Sequence, residues 1–157
     1  MPGVALNSAP IQEAVSPNYV SYVERYISGY SCVSWDQFGN CTRTEPDYST
    51  VTHYSNAMIN GNVRSSHTVF VNGVSVATVD DSTQEQWVAD PTPSPKNGGT
   101  IISISPGPSG SGSGSVTVGS ATVFVNGKAL AYSGSAVNTH LGTPSSITSG
   151  SSNVFVN

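Results

Sequence analysis

Apolar and polar residues alternate over short stretches of the chain, and one such stretch occurs three times. The tetrapeptide Val-Phe-Val-Asn stands at Val69–Asn72, Val123–Asn126 and Val154–Asn157. Its Val-x-Val spacing suits a half-buried β-strand, because it places two β-branched residues on the same side. We therefore expect each copy, called here a repeat word, to form a short strand. The pattern leaves open which alternate set of side chains faces inward.

Two repeat words run directly into glycine, at Asn72-Gly73 and Asn126-Gly127. Asn-Gly beside an alternating segment is a strong hairpin signal, because both residues tolerate positive φ. We therefore predict a tight turn after each of these words, and a further turn at Asn60-Gly61 before the first one.

The repeat words divide the chain into three repeats cut at the same phase. Each repeat opens with Gly-x-(Ala/Ser)-hydrophobic, starting at Gly3, Gly73 and Gly127. Short strands bury little core alone, so we expect the repeats to wrap around one axis within a single all-β domain. The predicted boundaries, within residues 1–157, are 1–72 with an insertion at 11–52, 73–126 with an insertion at 81–115, and 127–157.

The first insertion contains apolar residues at helical spacing, namely Tyr19, Val20, Tyr22, Val23, Tyr26 and Ile27. Ser16 suits an N-cap, Pro17 the first helical position and Gly29 the end of a helix. The spacing predicts a short helix near residues 17–28, with a tyrosine stripe that packs on the repeats or docks a partner.

The remaining insertion features are two cysteines and a Ser/Gly run. Cys32 and Cys41 lack the neighbouring ligands of a zinc site, so a local disulfide or two free thiols remain open. An extracellular location would favour the bridge. The Ser/Gly run at 109–115 predicts an exposed loop, between strand-like runs at 101–104 and 116–118 that could pair with each other.

The composition of the chain excludes some classes of binding partner. Only 9% of the residues are charged and the net charge is -4, so the chain lacks the basic stripe that nucleic acid requires. No apolar run approaches the roughly 20 residues that span a bilayer. The N-terminus lacks the pattern of a secretory signal, so we expect another component to carry the protein out of any cell that exports it.

The repeat words and their flanks resemble PAAR-repeat proteins, the spike tips of contractile injection systems. The family's unit reads small-small-x-Thr-Val-Phe-Val-Asn-Gly-Lys-Pro-Ala-Ala-Arg-x-Gly-Asp. The match is best over Gly119–Ala131, good over Ser65–Asp80 and partial over Gly150–Asn157. The Pro-Ala-Ala-Arg segment is degenerate at Val74–Thr78 and Lys128–Tyr132. The chain is therefore similar to PAAR-like tips of phage tails and extracellular contractile particles more than to the type VI secretion form.

The resemblance implies a short-stranded pointed cone with pseudo-threefold repeats, to which the chain would add the helix of its N-terminal insertion. It implies a non-enzymatic tip, one copy per spike, that caps a trimeric β-helical spike of the VgrG or phage type. Such a tip meets the target cell envelope transiently during puncture, without stable membrane insertion. It would be made in the bacterial cytoplasm and delivered at the spike end. The resemblance does not identify the spike-docking residues.

The resemblance also implies one Zn or Fe ion near the apex, held by His and Cys from the loops before the repeat words. His53 and His140 stand in two of these loops. In the third, Ser94–Gly99 replaces the family's Cys-Pro-Lys-His-Gly-Gly. A metal would therefore have His53 and His140 at its core. The possible further ligands are Cys32, Cys41 and His67.

Two rival functions remain open. An enzyme would need converging acid, base or nucleophile groups, and the candidates form no recognisable catalytic motif. These candidates are Asp80, Asp81, Glu85, Asp90 and the histidines. Asp80-Asp81 is better interpreted as a turn. The alternative to a spike tip is a secreted glycan-binding or adhesin module, in which Trp35, Trp87 and the tyrosines would stack on sugars.

Overall fold

The computed structural model describes residues 1–157 and is all-β, as the sequence predicts. The strands β1 to β12 are Ala14–Trp35, Cys41–Arg64, Phe70–Val71, Val74–Ser75, Ser82–Asp90, Thr100–Ser105, Ser109–Gly112, Ser115–Val116, Phe124–Val125, Lys128–Ala129, Ala136–Asn138 and Pro144–Ser146. An eight-stranded sheet has the order β12-β11-β8-β5-β2-β1-β6, with β7 paired to β5. The strands β3–β4 and β9–β10 form separate hairpins. The structure contains no helix with the length and apolarity needed to cross a membrane.

The chain forms two compact units. The first, called here the repeat unit, contains Met1–Pro17, Ala57–Val88 and Ser109–Asn157. The second, called here the hairpin unit, contains Asn18–Asn56 and Ala89–Pro108. The repeat unit holds all three repeat words, whereas the hairpin unit is built mainly from the predicted insertions.

The predicted helix at 17–28 is wrong, because these residues lie in β1. Side chains at Val20, Tyr22 and Glu24 are buried with the period of two that a strand imposes. Aromatic and β-branched residues favour strands, and here that preference outweighs the apparent helical spacing. The Ser-Pro signal falls instead at a local irregularity of the strand, where Asn18 has a φ of 54°.

The predicted Asn-Gly turns after the first two repeat words are confirmed. Asn72 and Gly73 have φ values of 53° and 79°, and Asn126 and Gly127 have values of 51° and 80°. Each turn joins the two strands of a short hairpin, β3–β4 or β9–β10. The Asn60-Gly61 prediction is wrong, because both residues lie inside β2.

The third repeat word pairs with the first residues of the chain. Phe155 forms an antiparallel bridge with Gly3, and the Val4 N–H donates to the Val154 carbonyl at 3.0 Å. The same hydrogen bond occurs in the two hairpins, from Val76 to Val69 and from Leu130 to Val123. Two short hairpins and one isolated bridge therefore share a hydrogen-bond pattern, and each contains one repeat word.

A closed ring of backbone hydrogen bonds joins Ala5, Ala77 and Ala131. The Ala5 N–H donates to Ala131 (3.0 Å), Ala131 donates to Ala77 (2.9 Å), and Ala77 donates back to Ala5 (2.9 Å). All three residues are completely buried. We call this feature the alanine ring.

The ring fixes how the three repeats correspond. Ala5 takes the place of Ala77 and Ala131, so residues 3–6 match 75–78 and 129–132 in their hydrogen bonds. The Gly-x-(Ala/Ser)-hydrophobic pattern had aligned Gly3 with Gly73, which is two residues away. The correspondence continues outward to three residues with positive φ, namely Ser8, Asp80 and Gly134.

Two buried apolar clusters lie in the repeat unit. The first surrounds the alanine ring and consists of Ala5, Ala9, Ile11, Val63, Ala77, Val116, Ala131, Val137 and Ile147. The second lies beneath the repeat words and consists of Val4, Val76, Val125, Leu130 and Val156, with Leu6, Val71 and Tyr132 packed against it. Small and β-branched residues dominate both clusters, which fits closely approaching short strands.

The Ser/Gly run is not an exposed loop throughout, because Ser109–Gly112 forms β7. This strand pairs with β5 from Glu85↔Gly112 to Val88↔Ser109. A Cβ at Gly110 would lie 2.6 Å from the Trp87 indole nitrogen, and one at Gly112 would lie 2.2 Å from the His140 ring. Alternate glycines therefore leave room for two rings on one face of the strand.

The strand-like runs at 101–104 and 116–118 do not pair with each other. The first lies in β6, which pairs with β1 from Ser21↔Ser105 to Arg25↔Thr100. Val116 lies in β8, which pairs with β11. The first run forms a strand as expected, whereas only Val116 of the second run lies in a strand, and the sequence alone carries no signal for their partners.

Candidate docking face and histidine sites

The repeat words present three phenylalanines to solvent. Phe70, Phe124 and Phe155 are 59%, 58% and 48% exposed. The valine before each, Val69, Val123 or Val154, is also well exposed. The valine after each faces the other way, into the apolar cluster beneath the words. Neither alternate set is therefore buried as a whole: only the second valine of each word faces inward, and three matching Val-Phe pairs lie on the surface, called here the Val-Phe face.

The Val-Phe face is an apolar surface built from elements with the same local structure. Each phenylalanine is the second residue of its repeat word and lies opposite one residue of the paired segment. The three pairs are Phe70↔Ser75, Phe124↔Ala129 and Gly3↔Phe155. Solvent-exposed aromatic residues at equivalent points are common anchors of protein interfaces. The recurrence of the word was the sequence signal for three equivalent surfaces, whereas its alternation would have placed both valines of each word on one side.

His53 lies in the hairpin unit, where it contacts Glu24. Its Nε2 atom is 2.9 Å from Glu24 Oε1, and its ring lies 5.2 Å from the Tyr22 ring, centroid to centroid. The Glu24 carboxylate also accepts hydrogen bonds from the backbone N–H groups of Lys96, Asn97 and Gly99. We call this arrangement the Glu24 cage.

The Glu24 cage sets the charge state of a buried carboxyl group. Burial by itself would raise the pKa of Glu24. Hydrogen bonds from the Lys96 N–H, His53, and the Gly99 and Asn97 N–H groups outweigh this effect and lower the pKa from 4.5 to about 2. The loop that replaces the family's Cys-Pro-Lys-His-Gly-Gly therefore supplies N–H donors to a carboxylate. Nothing in the sequence pointed to Glu24, which lies 72 residues from Lys96.

His140 lies in the repeat unit and contacts a different carboxyl group, Glu85. The His140 backbone N–H and its Nδ1 atom lie 2.9 and 2.6 Å from Glu85 Oε1. The Thr83 hydroxyl donates to the other oxygen of Glu85. His140 Nε2 is buried without a hydrogen-bond partner.

His67 also contacts a carboxyl group, that of Asp81. Its Nε2 atom lies 2.8 and 2.9 Å from the two carboxyl oxygens and 3.0 Å from the Thr78 hydroxyl. The Thr78 N–H donates to the same carboxyl group. Asp80 and Asp81 form a turn as predicted, with Asp81 N–H donating to the Thr78 carbonyl.

The metal prediction finds no assembled ligand set. Cys32 and Cys41 form a disulfide, so neither sulfur is a free thiolate. The structure contains no group of three or more His, Cys, Asp or Glu residues that could hold an ion. A structural zinc site takes four ligands, and these residues do not assemble such a set in the structure. A Zn or Fe ion at His53 and His140 stays a prediction, which elemental analysis of the purified protein would test.

The other residues singled out in the sequence have separate positions. Glu85 and Asp81 hold histidines as described, and Asp90 is exposed at the end of β5. Trp87 is only 5% exposed, so it offers no stacking surface to a sugar. Trp35 is 59% exposed. A glycan-binding surface would therefore depend on Trp35 and the exposed tyrosines of the hairpin unit.

The resemblance to PAAR-repeat proteins rests on the repeat words and the residues beside them. Membership of that family stays a prediction, and the function proposed below is supported by the alanine ring and the Val-Phe face. Comparison of the chain with protein-family models, curated proteins and solved structures finds no match.

Proposed function

We propose that the protein is a structural tip that caps the trimeric β-helical spike of a contractile injection system. In this proposal the three repeats are related by a pseudo-threefold axis and form a pointed cone. The observation that carries the proposal is the alanine ring. Hydrogen bonds that run from Ala5 to Ala131, to Ala77 and back to Ala5 are the arrangement that rotation about one axis would produce.

The Val-Phe face supports docking to a trimer. A spike made of three identical chains presents the same surface three times, so a single-chain cap needs three equivalent contact points. Phe70, Phe124 and Phe155 are exposed to similar extents, and each occupies the second position of its repeat word. We assign the spike-docking role to these phenylalanines and the valines that precede them.

The mechanical role follows from the construction of the repeat unit. The ring alanines are completely buried and each is held by backbone hydrogen bonds to two others. Separating one repeat from the next would break several of these bonds at once, which makes gradual deformation costly. A tip of this kind would transmit the thrust of a contracting sheath to the target envelope.

The test is binding of the purified protein to the trimeric β-helical spike from the same organism. A triple variant, Phe70→Ser, Phe124→Ser and Phe155→Ser, should lose most of the affinity while remaining folded. Phe38→Ser is the matched control, since Phe38 is 78% exposed but belongs to the hairpin unit. Equal binding by the triple variant and the wild type would reject the docking face.

A second test uses whole particles. Tagging or deleting this protein should change density only at the spike end in averaged particle images. Density lost elsewhere, or micromolar binding to glycans combined with no binding to the spike, would reject the tip function and favour an adhesin.

A further inference from the structure

The far end of the long hairpin presents aromatic side chains on a closed loop. Strand β1 ends at Trp35 and β2 begins at Cys41, with residues 36–40 between them. Trp35 is 59% exposed and Phe38 is 78% exposed. The Cys32–Cys41 disulfide ties the two strands together at the base of the loop. We call residues 35–40 the aromatic loop.

Four backbone donors of the aromatic loop, those of Asp36, Phe38, Gly39 and Asn40, are satisfied within the loop. The Asp36 N–H donates to the Asn40 carbonyl at 2.9 Å, and the Gly39 N–H to the Asp36 carbonyl at 3.2 Å. The N–H groups of Phe38 and Asn40 donate to Asp36 Oδ1, at 2.8 and 2.9 Å. Because an unpaired N–H is costly in a low-dielectric medium, these internal bonds lower the cost of moving the loop out of water.

The few charges around the aromatic loop limit the kinds of surface that the loop can bind. Between Tyr26 and Thr42 the only charged residue is Asp36. The nearest arginine after the loop, Arg43, is paired with Glu45 at 3.4 Å. The loop therefore has no free cation to attract anionic lipid headgroups. A sugar ligand would need several polar groups beside the aromatic rings, and the loop uses four backbone donors and the Asp36 carboxylate internally, which leaves the exposed Gln37 amide between the two rings.

We infer that the aromatic loop inserts into the headgroup interface of a zwitterionic lipid bilayer, with Trp35 and Phe38 as its anchors. Tryptophan and phenylalanine favour this region because it accommodates both apolar rings and adjacent polar groups. Asp36 limits the depth, since its carboxylate stays among the headgroups while the two rings reach the acyl boundary. The inference concerns the hairpin unit and stands independently of the spike-tip proposal.

The experiment measures binding of the full-length protein to phosphatidylcholine vesicles by tryptophan fluorescence. Trp87 is buried, so a blue shift and quenching by brominated lipid would report on Trp35. Phe38→Ser should weaken partitioning about tenfold, as expected for removing one large apolar side chain from the interface. Tyr54→Ser is the matched control, because Tyr54 is 56% exposed on the same hairpin but far from the loop in sequence.

Three results would overturn the inference. The first is no fluorescence change at millimolar lipid, and the second is equal partitioning of Phe38→Ser and the wild type. The third is glycan binding that Trp35→Ser abolishes in a protein that ignores vesicles. The Val-Phe face triple variant should bind vesicles normally, and Phe38→Ser should bind the spike normally. Failure of one proposal can therefore be told apart from failure of the other.

Discussion

The repeat unit and the hairpin unit stabilise β-strands in two different ways. In the repeat unit, very short strands surround completely buried alanines and two apolar clusters. In the hairpin unit, two long strands extend with many exposed side chains, including Tyr30 and Tyr48. These strands are held by polar contacts and a disulfide. Ser31 donates to Asp47, Arg25 lies 3.9 Å from the centre of the Tyr48 ring, and Glu24 is caged by backbone N–H groups.

Small apolar residues are therefore enough to stabilise strands that close on one another, whereas an extended hairpin needs specific cross-links between its strands. Closure gives each backbone group a partner and excludes water from the centre. Beyond the part of β1 that pairs with β6, the hairpin has two strands with mostly exposed side chains, and two-stranded arms are marginal by themselves. The two units should therefore respond to different substitutions.

The largest effect is expected for Glu24→Gln, which breaks the cage of the hairpin unit. The amide would place an NH₂ group or a weaker acceptor against N–H donors from Lys96, Asn97 and Gly99. Its urea midpoint at neutral pH should fall more than that of any other variant described below. Glu45→Gln is the control, because Glu45 forms only an exposed ion pair, and its change should be close to zero.

The same variant has a defined pH signature. The folded pKa of Glu24 is about 2, below its ordinary value of 4.5, so its contribution is present above pH 4.5. That contribution declines as the pH falls from about 4.5 and is lost below about 2. The stability gap between wild type and Glu24→Gln should therefore narrow in acid. A gap that stays constant between pH 6 and pH 2.5 would contradict the cage.

The next effect should come from Ala77→Leu, which breaks the repeat unit at its centre. Three added carbons in the alanine ring should lower the free energy of unfolding by about 3 kcal/mol through overpacking. Ala121→Leu is the control, since Ala121 is exposed in the same unit and should tolerate the change. Chemical denaturation would measure both variants. A loss below about 1 kcal/mol for Ala77→Leu would mean that the ring is not tightly packed.

Removing the disulfide should have a somewhat smaller effect, confined to the hairpin unit. Replacing Cys32 and Cys41 with serine opens a loop whose ends are 9 residues apart. Loop entropy predicts a loss of about 2.5 kcal/mol. Hydrogen exchange should accelerate in residues 27–48 and stay unchanged at Ala5, Ala77 and Ala131. Faster exchange at the alanine ring would show that the two units are not independent.

The smallest effect separates glycines in the two units. Gly112→Ala should cost about 2 kcal/mol, because its Cβ would meet the His140 ring, which Glu85 holds in place. Gly29→Ala in the hairpin arm would meet only Asp47 Oδ2, at 3.9 Å, and should be neutral or stabilising by about 0.5 kcal/mol. Thermal unfolding of both variants provides the comparison. Equal costs would mean that the Ser/Gly strand is not closely packed.

Local patterns predicted some elements well. The turns at Asn72-Gly73 and Asn126-Gly127 follow from residues that accept positive φ, so no distant contact is needed to form them. The strands of the repeat words follow from their alternation. By contrast, Tyr19 to Ile27 satisfied two periods at once, and the sequence could not tell a helix from a strand. The partner strand β6 lies about 80 residues later and carries no local signal.

The candidate sites were predicted only in part. The histidines at 53, 67 and 140 were singled out because nitrogen ligands suit metals, and each contacts a carboxyl group instead. Their partners Glu24 and Glu85 are far away in sequence. The Ser/Gly run has the composition of a flexible linker, and this composition predicts a loop. Its alternating glycines also have the period of a strand, and they leave space on one face for the rings of Trp87 and His140.

The sequence was enough to predict the three repeat words, the short strands of the first two and the turns that follow those two, since these depend on the torsional preferences of neighbouring residues. Only the tertiary structure decided that Ala5, Ala77 and Ala131 form a ring, which valines face inward and which carboxyl group each histidine contacts. These outcomes depend on which distant backbones approach one another. The free energy of such contacts comes from burial and hydrogen bonding between segments, and no short window of residues contains it.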